Sequence, residues 1–192
     1  MILAGGHSRR MGRDKASICW QGVPMLRRVY DVAADCVESV AVLTPWIDRY
    51  REILPESCQF LQETQPGQGP LVALLQVLER VSDEWLWLLA CDLPRLQAPV
   101  LQTWIDRLAE LPDDVLACVP RSESGWEPLC GFYRRRVRSR LEEFVRDRSN
   151  GDVQRLSFQQ WLAEIPTDAI AVDAEIAGML HNCNRLEDLQ FD

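Results

Sequence analysis

The strongest constraint on the fold is the run WLWLLAC at residues 85–91, the longest unbroken apolar stretch of the chain. An apolar run without polar alternation is typical of a strand that is buried on both faces of a sheet. Other short apolar runs, such as SVAVLT at 39–44 and VLACV at 115–119, alternate with segments of helical periodicity. This order predicts βαβ units around a mostly parallel sheet, with helices on both of its faces.

The same patterns place the individual elements. Strands are predicted at 1–4, 39–44, 58–61, 85–91, 115–119 and 128–133, and helices at 24–37, 47–54, 70–81, 99–111 and 134–148. The sequence has no long linker, low-complexity tract or internal repeat. We therefore expect residues 1–192 to form a single three-layer α/β/α domain.

Charge and cysteine content narrow the class of protein. The formal net charge is −8, which disfavours a general attraction to nucleic acid or to an anionic membrane. The seven cysteines are widely spaced and mostly lie in apolar runs, so we expect buried thiols in a reducing compartment. No segment approaches the roughly 20 apolar residues of a membrane span, and no signal peptide is visible. The predicted location is the cytoplasm.

The segment LAGGHSRRMGRDK at residues 3–15 is a local exception to the acidic composition. Two glycines follow the first predicted strand, and Arg9, Arg10, Arg13 and Lys15 come shortly after them. Glycines let backbone N–H groups approach an anion closely, and neighbouring cations add charge-assisted hydrogen bonds. The pattern predicts a triphosphate-binding loop, although a glycine turn before a solvated basic loop has the same composition. Its spacing is neither that of the P-loop nor that of G-x-G-x-x-G.

At this point the sequence resembles the molybdenum cofactor guanylyltransferases, whose pattern L-A-G-G-x-S-x-R-M-G-x-D-K it matches. The resemblance implies a Rossmann-like nucleotidyltransferase fold in which the loop wraps the nucleotide phosphates. It assigns nucleotide contacts to Leu3, Ala4, Gly5, Gly6 and Lys15, and catalytic roles to Lys15, Arg10 and Asp92.

Asp92 follows directly after the central apolar run, where ligands bind in open α/β sheets. Mg²⁺ is commonly held by one or two carboxylates together with substrate phosphates, so a single aspartate suffices. The residues Cys91–Pro94 also match a C-D-x-P element of the family, whose aspartate binds the metal. Mg²⁺ is therefore the expected cofactor, although an aspartate before Pro94 could also simply cap a turn.

The segment 63–73 links the third predicted strand to a helix. It resembles the family's acidic residue and G-P-L-A-G element, which lie beside the guanine and ribose. The resemblance assigns nucleotide binding to Glu63, Gly69, Pro70 and Leu71. Two departures weaken the prediction of guanine specificity: Val72 and Ala73 replace the Ala-Gly pair, and Leu43 stands near the place where family members often carry an asparagine.

The acceptor side is less well defined. The segment 126–133 resembles a family strand near the acceptor, and Trp126 could stack on a pterin or serve only in packing. Near the end, 182–189 resembles the family's N-x-N-T-P-E-E-L, in which Asn182 and Asn184 are candidates for polar contacts or helix caps. Arg155 could offer a cation to the acceptor phosphate, or belong to a solvated helix end.

The resemblance implies transfer of GMP from Mg·GTP to the phosphate of molybdenum-bound molybdopterin, with release of pyrophosphate. GTP and molybdenum-molybdopterin are the implied substrates, with transient contact to molybdenum enzymes or cofactor chaperones. Two alternatives stay open. One is a related nucleotidyltransferase that uses CTP with molybdopterin or acts on a sugar phosphate. The other is a nucleotide-binding adaptor without catalysis, which the retained Lys15 and Asp92 argue against.

Overall fold

The computed structural model describes residues 1–5, 14–149 and 156–183. Within these ranges the helices are α1 Met25–Cys36, α2 Ile47–Tyr50, α3 Pro70–Leu78, α4 Ala98–Arg107, α5 Arg138–Ser149, α6 Phe158–Glu164 and α7 Ala174–Met179. The strands are β1 Ile2–Leu3, β2 Cys19–Trp20, β3 Val23–Pro24, β4 Ala41–Thr44, β5 Gln59–Gln62, β6 Trp85–Ala90, β7 Ala117–Ser122, β8 Gly125–Trp126, β9 Cys130–Arg134 and β10 Thr167–Ala171. Short 3₁₀ turns lie at Lys15–Ser17, Leu108–Glu110 and Arg135–Val137.

One eight-stranded sheet organises the molecule. Its strand order is β10-β7-β9-β6-β1-β4-β5, and β8 pairs with β7. The strands β6, β1, β4 and β5 run parallel, as do β10 and β7, whereas β9 is antiparallel to both of its neighbours. The predicted mostly parallel sheet is therefore confirmed. A separate antiparallel hairpin is formed by β2 and β3.

Two apolar clusters cover the two faces of this sheet, as a three-layer architecture requires. One cluster joins strand residues such as Val42 and Leu89 to helices α1 and α4. The other joins Leu43 and Leu88 to helices α3, α5 and α6. Because neighbouring strand residues point to opposite faces, Val42 and Leu43 of β4 enter different clusters, and so do Leu88 and Leu89 of β6.

The central strand matches its prediction closely. In β6 every residue after Trp85 is buried, and the strand lies between β1 and β9 in the middle of the sheet. None of the helices described in these ranges is long and apolar enough to cross a membrane.

Several element boundaries differ from the sequence prediction for local reasons. The helix predicted at 47–54 ends at Tyr50 and continues as turns over 51–53, and Pro55 disfavours helical conformation at Leu54. The strand predicted from Pro128 begins at Cys130, because proline has no N–H for the sheet ladder. The helix predicted from Arg134 begins at Arg138, after the 3₁₀ turn at 135–137. The β2–β3 hairpin and the elements β8, β10, α6 and α7 were not predicted.

Candidate active site

A cavity of about 720 Å³ opens at the carboxyl ends of β1, β4, β5 and β6. This is the edge at which open α/β sheets bind ligands. Its wall is formed by Leu3, Ala4, Gly5, Asp14, Lys15, Ala16, Leu43, Tyr50, Glu63, Pro66, Gly67, Gln68, Gly69, Pro70, Ala73, Ala90, Cys91, Asp92 and Leu129. The structure thus brings together segments from the first predicted strand, the basic loop, the 63–73 segment and the end of the central strand.

Lys15 and Asp92 form an ion pair in this wall, with Lys15 Nζ 3.4 Å from Asp92 Oδ2. Both side chains are largely shielded, with 21% and 17% of their surface exposed. Burial raises the pKa of Asp92, and the Lys15 ammonium opposes that shift. We call this part of the cavity the Lys15 end. The pair therefore places a cation beside a carboxylate in a partly dry site.

Backbone geometry shapes another part of the cavity wall, which we call the Glu63 end. Gly69 precedes α3 with φ of +91°, a left-handed value that favours glycine, and Pro70 is the first residue of the helix. The loop before them is fixed by Gln76 of α3, whose Oε1 accepts hydrogen bonds from the N–H and hydroxyl of Thr64 at 2.8 and 2.9 Å.

Glu63 is a buried carboxylate at this end, only 8% exposed. Its backbone N–H donates to the carbonyl of Thr44, which extends the pairing of β5 with β4. Its carboxylate lies against Gly5, where a Cβ atom would come within 2.0 Å of Oε2. A larger residue at position 5 would therefore have to displace the Glu63 side chain. Burial raises the pKa of Glu63.

Three apolar residues complete the account of the Glu63 end. Leu43 and Ala73 line the cavity, so both departures from the family pattern lie in its wall. The side chain of Leu71 is 2% exposed and belongs to the apolar cluster beneath α3, outside the cavity wall. The nucleotide contact predicted for Leu71 therefore has no support from its side-chain position.

The segment around Cys183 is hydrogen-bonded to the backbone of Asp92. The backbone N–H of Cys183 donates to the carbonyl of Asp92 at 3.0 Å. Cys183 is 1% exposed and packs with Trp20 of the β2–β3 hairpin and with Met25. Asn182 is the neighbouring residue, so the structure brings this predicted acceptor candidate near the strand end that carries Asp92.

Trp126 lies outside the cavity wall. It is part of β8, and its backbone N–H and carbonyl are both hydrogen-bonded to the side-chain amide of Gln159 in α6. The guanidinium of Arg121 covers its ring, with the Arg121 Cζ atom 4.8 Å from the ring centroid. These contacts are those of a packed hairpin, the alternative that the sequence left open.

Four further predicted site residues, Gly6, Arg10, Arg155 and Asn184, lie outside the described residues. Conversely, the cavity wall includes Asp14, Tyr50 and Leu129, which sequence reasoning did not select as site residues. Asp14 could have been selected, since it is part of the matched D-K pair. Tyr50 carries no local signal, because only the packing of α2 brings it to the loop.

The residues present fit a magnesium ion that is shared with a substrate. In the described part of the chain, no group of three or more His, Cys, Asp and Glu side chains could hold a metal by itself. Mg²⁺ does not need such a group, because it usually keeps several waters and binds through one or two carboxylates plus phosphate oxygens. Asp92 supplies one cavity-lining carboxylate of this kind.

Comparison with known proteins places these features in a family. Residues 1–165 match the family described as MobA-like NTP transferase domain. A probable molybdenum cofactor guanylyltransferase of Trichormus variabilis is 46% identical over 189 residues, covering 98% of this chain and 87% of that protein. A protein of the same name from Synechococcus elongatus is 42% identical over 192 residues, covering 99% and 95%.

A solved structure shows the same fold. The molybdopterin-guanine dinucleotide biosynthesis protein A of Archaeoglobus fulgidus aligns with a TM-score of 0.75 at 17% identity, covering 98% of this chain and 93% of that one. The predicted nucleotidyltransferase architecture is thus confirmed, and so is the resemblance carried by the loop at residues 3–15. The chain belongs to the MobA-like NTP transferase family.

Proposed function

We propose that this nucleotidyltransferase transfers GMP from GTP to the phosphate of molybdenum-bound molybdopterin, releases pyrophosphate and acts as a single domain over residues 1–192. The observation that carries the proposal is the cavity that joins the Lys15–Asp92 pair to the buried carboxylate of Glu63. The names of the relatives from Trichormus variabilis and Synechococcus elongatus support the guanylyl reaction.

The charges of the two ends orient the nucleotide in the proposal. The triphosphate lies at the Lys15 end, where the ammonium donates charge-assisted hydrogen bonds to phosphate oxygens. The base lies at the Glu63 end. A carboxylate there accepts hydrogen bonds, and guanine offers two adjacent donors, its N1–H and its 2-amino group. Adenine, cytosine and uracil do not offer that pair of donors.

Asp92 would hold Mg²⁺ in this arrangement, and the ion when bound supplies charge neutralisation on the phosphates. Asp92 is suited to the task because its backbone carbonyl is tied to Cys183 and its carboxylate is kept in place by Lys15. The shielded position strengthens electrostatic interactions relative to those in bulk water.

The reaction needs positioning more than proton transfer. A phosphate monoester is already largely ionised near neutral pH, so its oxygen attacks the α-phosphorus without a general base. One P–O bond forms to the acceptor while the bond to the departing pyrophosphate breaks. The work left to the protein is to align two polyanions and to offset their charge, which Lys15 does as a fixed cation beside Asp92.

A second choice of base is favoured by one observation. Leu43, which offers no hydrogen bond, and Ala73, which adds a methyl group, both line the cavity. A smaller pyrimidine would meet less of this apolar wall, so CTP is the alternative donor, with molybdopterin or a sugar phosphate as the alternative acceptor.

Pyrophosphate release with Mg²⁺ and molybdenum-loaded molybdopterin tests the proposal. GTP, CTP, ATP and UTP are offered separately to the wild type, to Asp92→Asn and to the matched control Asp106→Asn, which changes an exposed aspartate of α4. The expected result is turnover with GTP, retained by the control and lost with Asp92→Asn. Turnover with CTP alone would move the assignment to cytidylyl transfer. Tight nucleotide binding without pyrophosphate release would indicate an adaptor.

A further inference from the structure

The Asp14 side chain accepts hydrogen bonds from four described residues beside the cavity. Its Oδ1 accepts from the backbone N–H of Ala16 at 3.1 Å. Its Oδ2 accepts from the hydroxyl of Tyr50 at 2.7 Å, from Arg49 Nη1 at 3.3 Å and from the hydroxyl of Ser17 at 3.4 Å. One carboxylate therefore ties the 3₁₀ turn at Lys15–Ser17 to helix α2.

The contact from Tyr50 is the most protected of these four. Tyr50 is completely buried, whereas 46% of the Arg49 side chain is exposed. Burial, followed by the hydrogen bond and charge of Asp14, raises the pKa of Tyr50. Its hydroxyl is consequently protonated near neutral pH and donates to Asp14. Hydrogen bonds to charged groups are stronger than those between neutral groups.

The position of Lys15 depends on the turn that Asp14 holds. Lys15 is the first residue of that turn, and the next residue, Ala16, is 1% exposed and packed into the apolar cluster of α1 and α4. Because Asp14 and Ala16 are both held in place, the backbone position from which the Lys15 side chain extends is restricted. Its ammonium then reaches to 3.4 Å from Asp92, which lies 77 residues further along the chain.

We propose that Asp14 and Tyr50 are positioning residues: the buried Tyr50–Asp14 hydrogen bond sets the Lys15 ammonium against Asp92 before the nucleotide binds. The inference rests on the proposed function, since Lys15 is taken to contact the triphosphate. Tyr50 acts only through Asp14 and Lys15 and does not touch the phosphates itself. Preorganisation of this kind removes part of the cost of ordering a flexible cation on binding.

A double-mutant cycle on GTP affinity tests the inference. Dissociation constants for Mg·GTP are measured without acceptor, so that they remain accessible when turnover is lost. The variants are Tyr50→Phe, Lys15→Ala and their combination. Tyr30→Phe is the matched control, because Tyr30 is a buried tyrosine of α1 outside the cavity wall. Unfolding temperatures of all variants are recorded alongside.

Tyr50→Phe is expected to weaken GTP binding about tenfold in the wild-type background, the loss of one hydrogen bond to a charged group. In the Lys15→Ala background the same change is expected to have no further effect. Tyr30→Phe is expected to leave affinity unchanged in both backgrounds.

Two results would overturn the inference. Equal weakening by Tyr50→Phe in both backgrounds would mean that Tyr50 contacts the nucleotide directly or supports the fold in general. Unchanged affinity in the wild-type background would mean that the hydrogen bond does not position Lys15. If the wild type binds none of the four nucleotides, the proposed function itself fails, and that outcome is distinguishable from both.

Asp14→Asn is a second test variant, in which the new side chain has nearly the same shape as aspartate. The amide oxygen can still accept from Ala16, but the charge that holds Tyr50 and Arg49 is gone. GTP affinity is expected to fall at least as far as with Tyr50→Phe, again only when Lys15 is present. Arg49→Ala is expected to have the smaller effect, because its contact is longer and largely solvated.

Discussion

The Lys15 end of the cavity is held by the hydrogen bonds of Asp14, whereas at the Glu63 end backbone conformation and close packing add to the hydrogen bonds between Thr64 and Gln76. At the first end, Asp14 gathers four donors and the turn that carries Lys15 depends on them. At the second end, Glu63 lies against the bare Cα of Gly5, and Gly69 sets the start of α3. A polar network tolerates changes of side-chain shape better than changes of charge. A closely packed wall tolerates changes of charge better than changes of shape. Substitutions at the two ends should therefore fail in different ways.

The largest expected effect is a loss of charge at the Lys15 end. Asp92→Asn should lower turnover on the order of 10²–10³-fold, the range found when one electrostatic contact to a transition state is removed. The unfolding temperature should change little or rise, because the carboxylate is mostly buried. Steady-state pyrophosphate release together with thermal unfolding checks this. If Asp92→Asn loses turnover only because it is unfolded at the assay temperature, that result would contradict a role for Asp92 in the reaction.

A change of shape at the Glu63 end should come next. In Gly5→Ala the new methyl group displaces the Glu63 carboxylate, so we expect KM for GTP to rise about 10- to 100-fold, with a smaller change in kcat. Kinetics with GTP and CTP measure the effect. Combining Gly5→Ala with Glu63→Ala removes the collision and serves as the control. If that combination binds GTP as well as the wild type does, Glu63 does not read the base.

Gly69→Ala tests backbone conformation alone, because no atom lies within 4 Å of the Cβ that it adds. Holding alanine at φ of +91° should cost about 1–2 kcal/mol of stability. Gly178→Ala in α7 is the matched control: its Cβ also meets nothing, and its φ is not left-handed, so that change should be neutral or slightly stabilising. Urea unfolding of both variants gives the comparison. Equal free energies of unfolding would remove the argument for a required glycine.

The smallest effect concerns the pH dependence of stability. Because burial raises the folded-state pKa of Glu63, the protonated form is favoured in the folded protein. That stabilisation is fully present below the unfolded value near 4.5 and is lost as pH rises through the folded pKa. Glu63→Gln lacks this dependence. The unfolding temperature of Glu63→Gln relative to that of the wild type should therefore increase as pH rises from the unfolded value near 4.5 through the folded pKa of Glu63.

The exposed carboxylate of Glu110 provides the reference for this series. Glu110→Gln is measured over the same pH range, so that the general effect of removing a surface carboxylate can be subtracted. If no pH dependence of the Glu63→Gln difference remains after this subtraction, the Glu63 carboxylate is solvated in the folded protein.

The two ends also differ in how far the sequence predicted them. Lys15, Asp92, Glu63 and Gly69 follow strand ends or glycine turns, which are local signals, and all four line the cavity. Their individual roles in binding and catalysis remain predictions. The central strand was predictable for the same reason, since an apolar run without alternation has few other uses.

What the sequence did not reveal is long-range. Tyr50 reaches Asp14 only because α2 packs beside the loop, and Cys183 reaches Asp92 from a segment 91 residues away. The antiparallel direction of β9 is seen in its pairing with β6 and β7, and residues 130–134 carry no local signal that predicts it. For Trp126 the sequence left two roles open, and the structure shows its backbone hydrogen-bonded to Gln159, while a role in binding the acceptor remains a prediction.

The position of the two-residue strand β1 in the sheet determines when the cavity can form during synthesis of the chain. Ile2 pairs with Val42 on one side and with Leu89 on the other, so β1 fills the gap between strands that are made much later. A ribosome-bound chain would expose these residues early but could enclose them only after residue 90 had emerged. Because a nucleotide stabilises only the state that binds it, nucleotide should favour chains in which that insertion is complete.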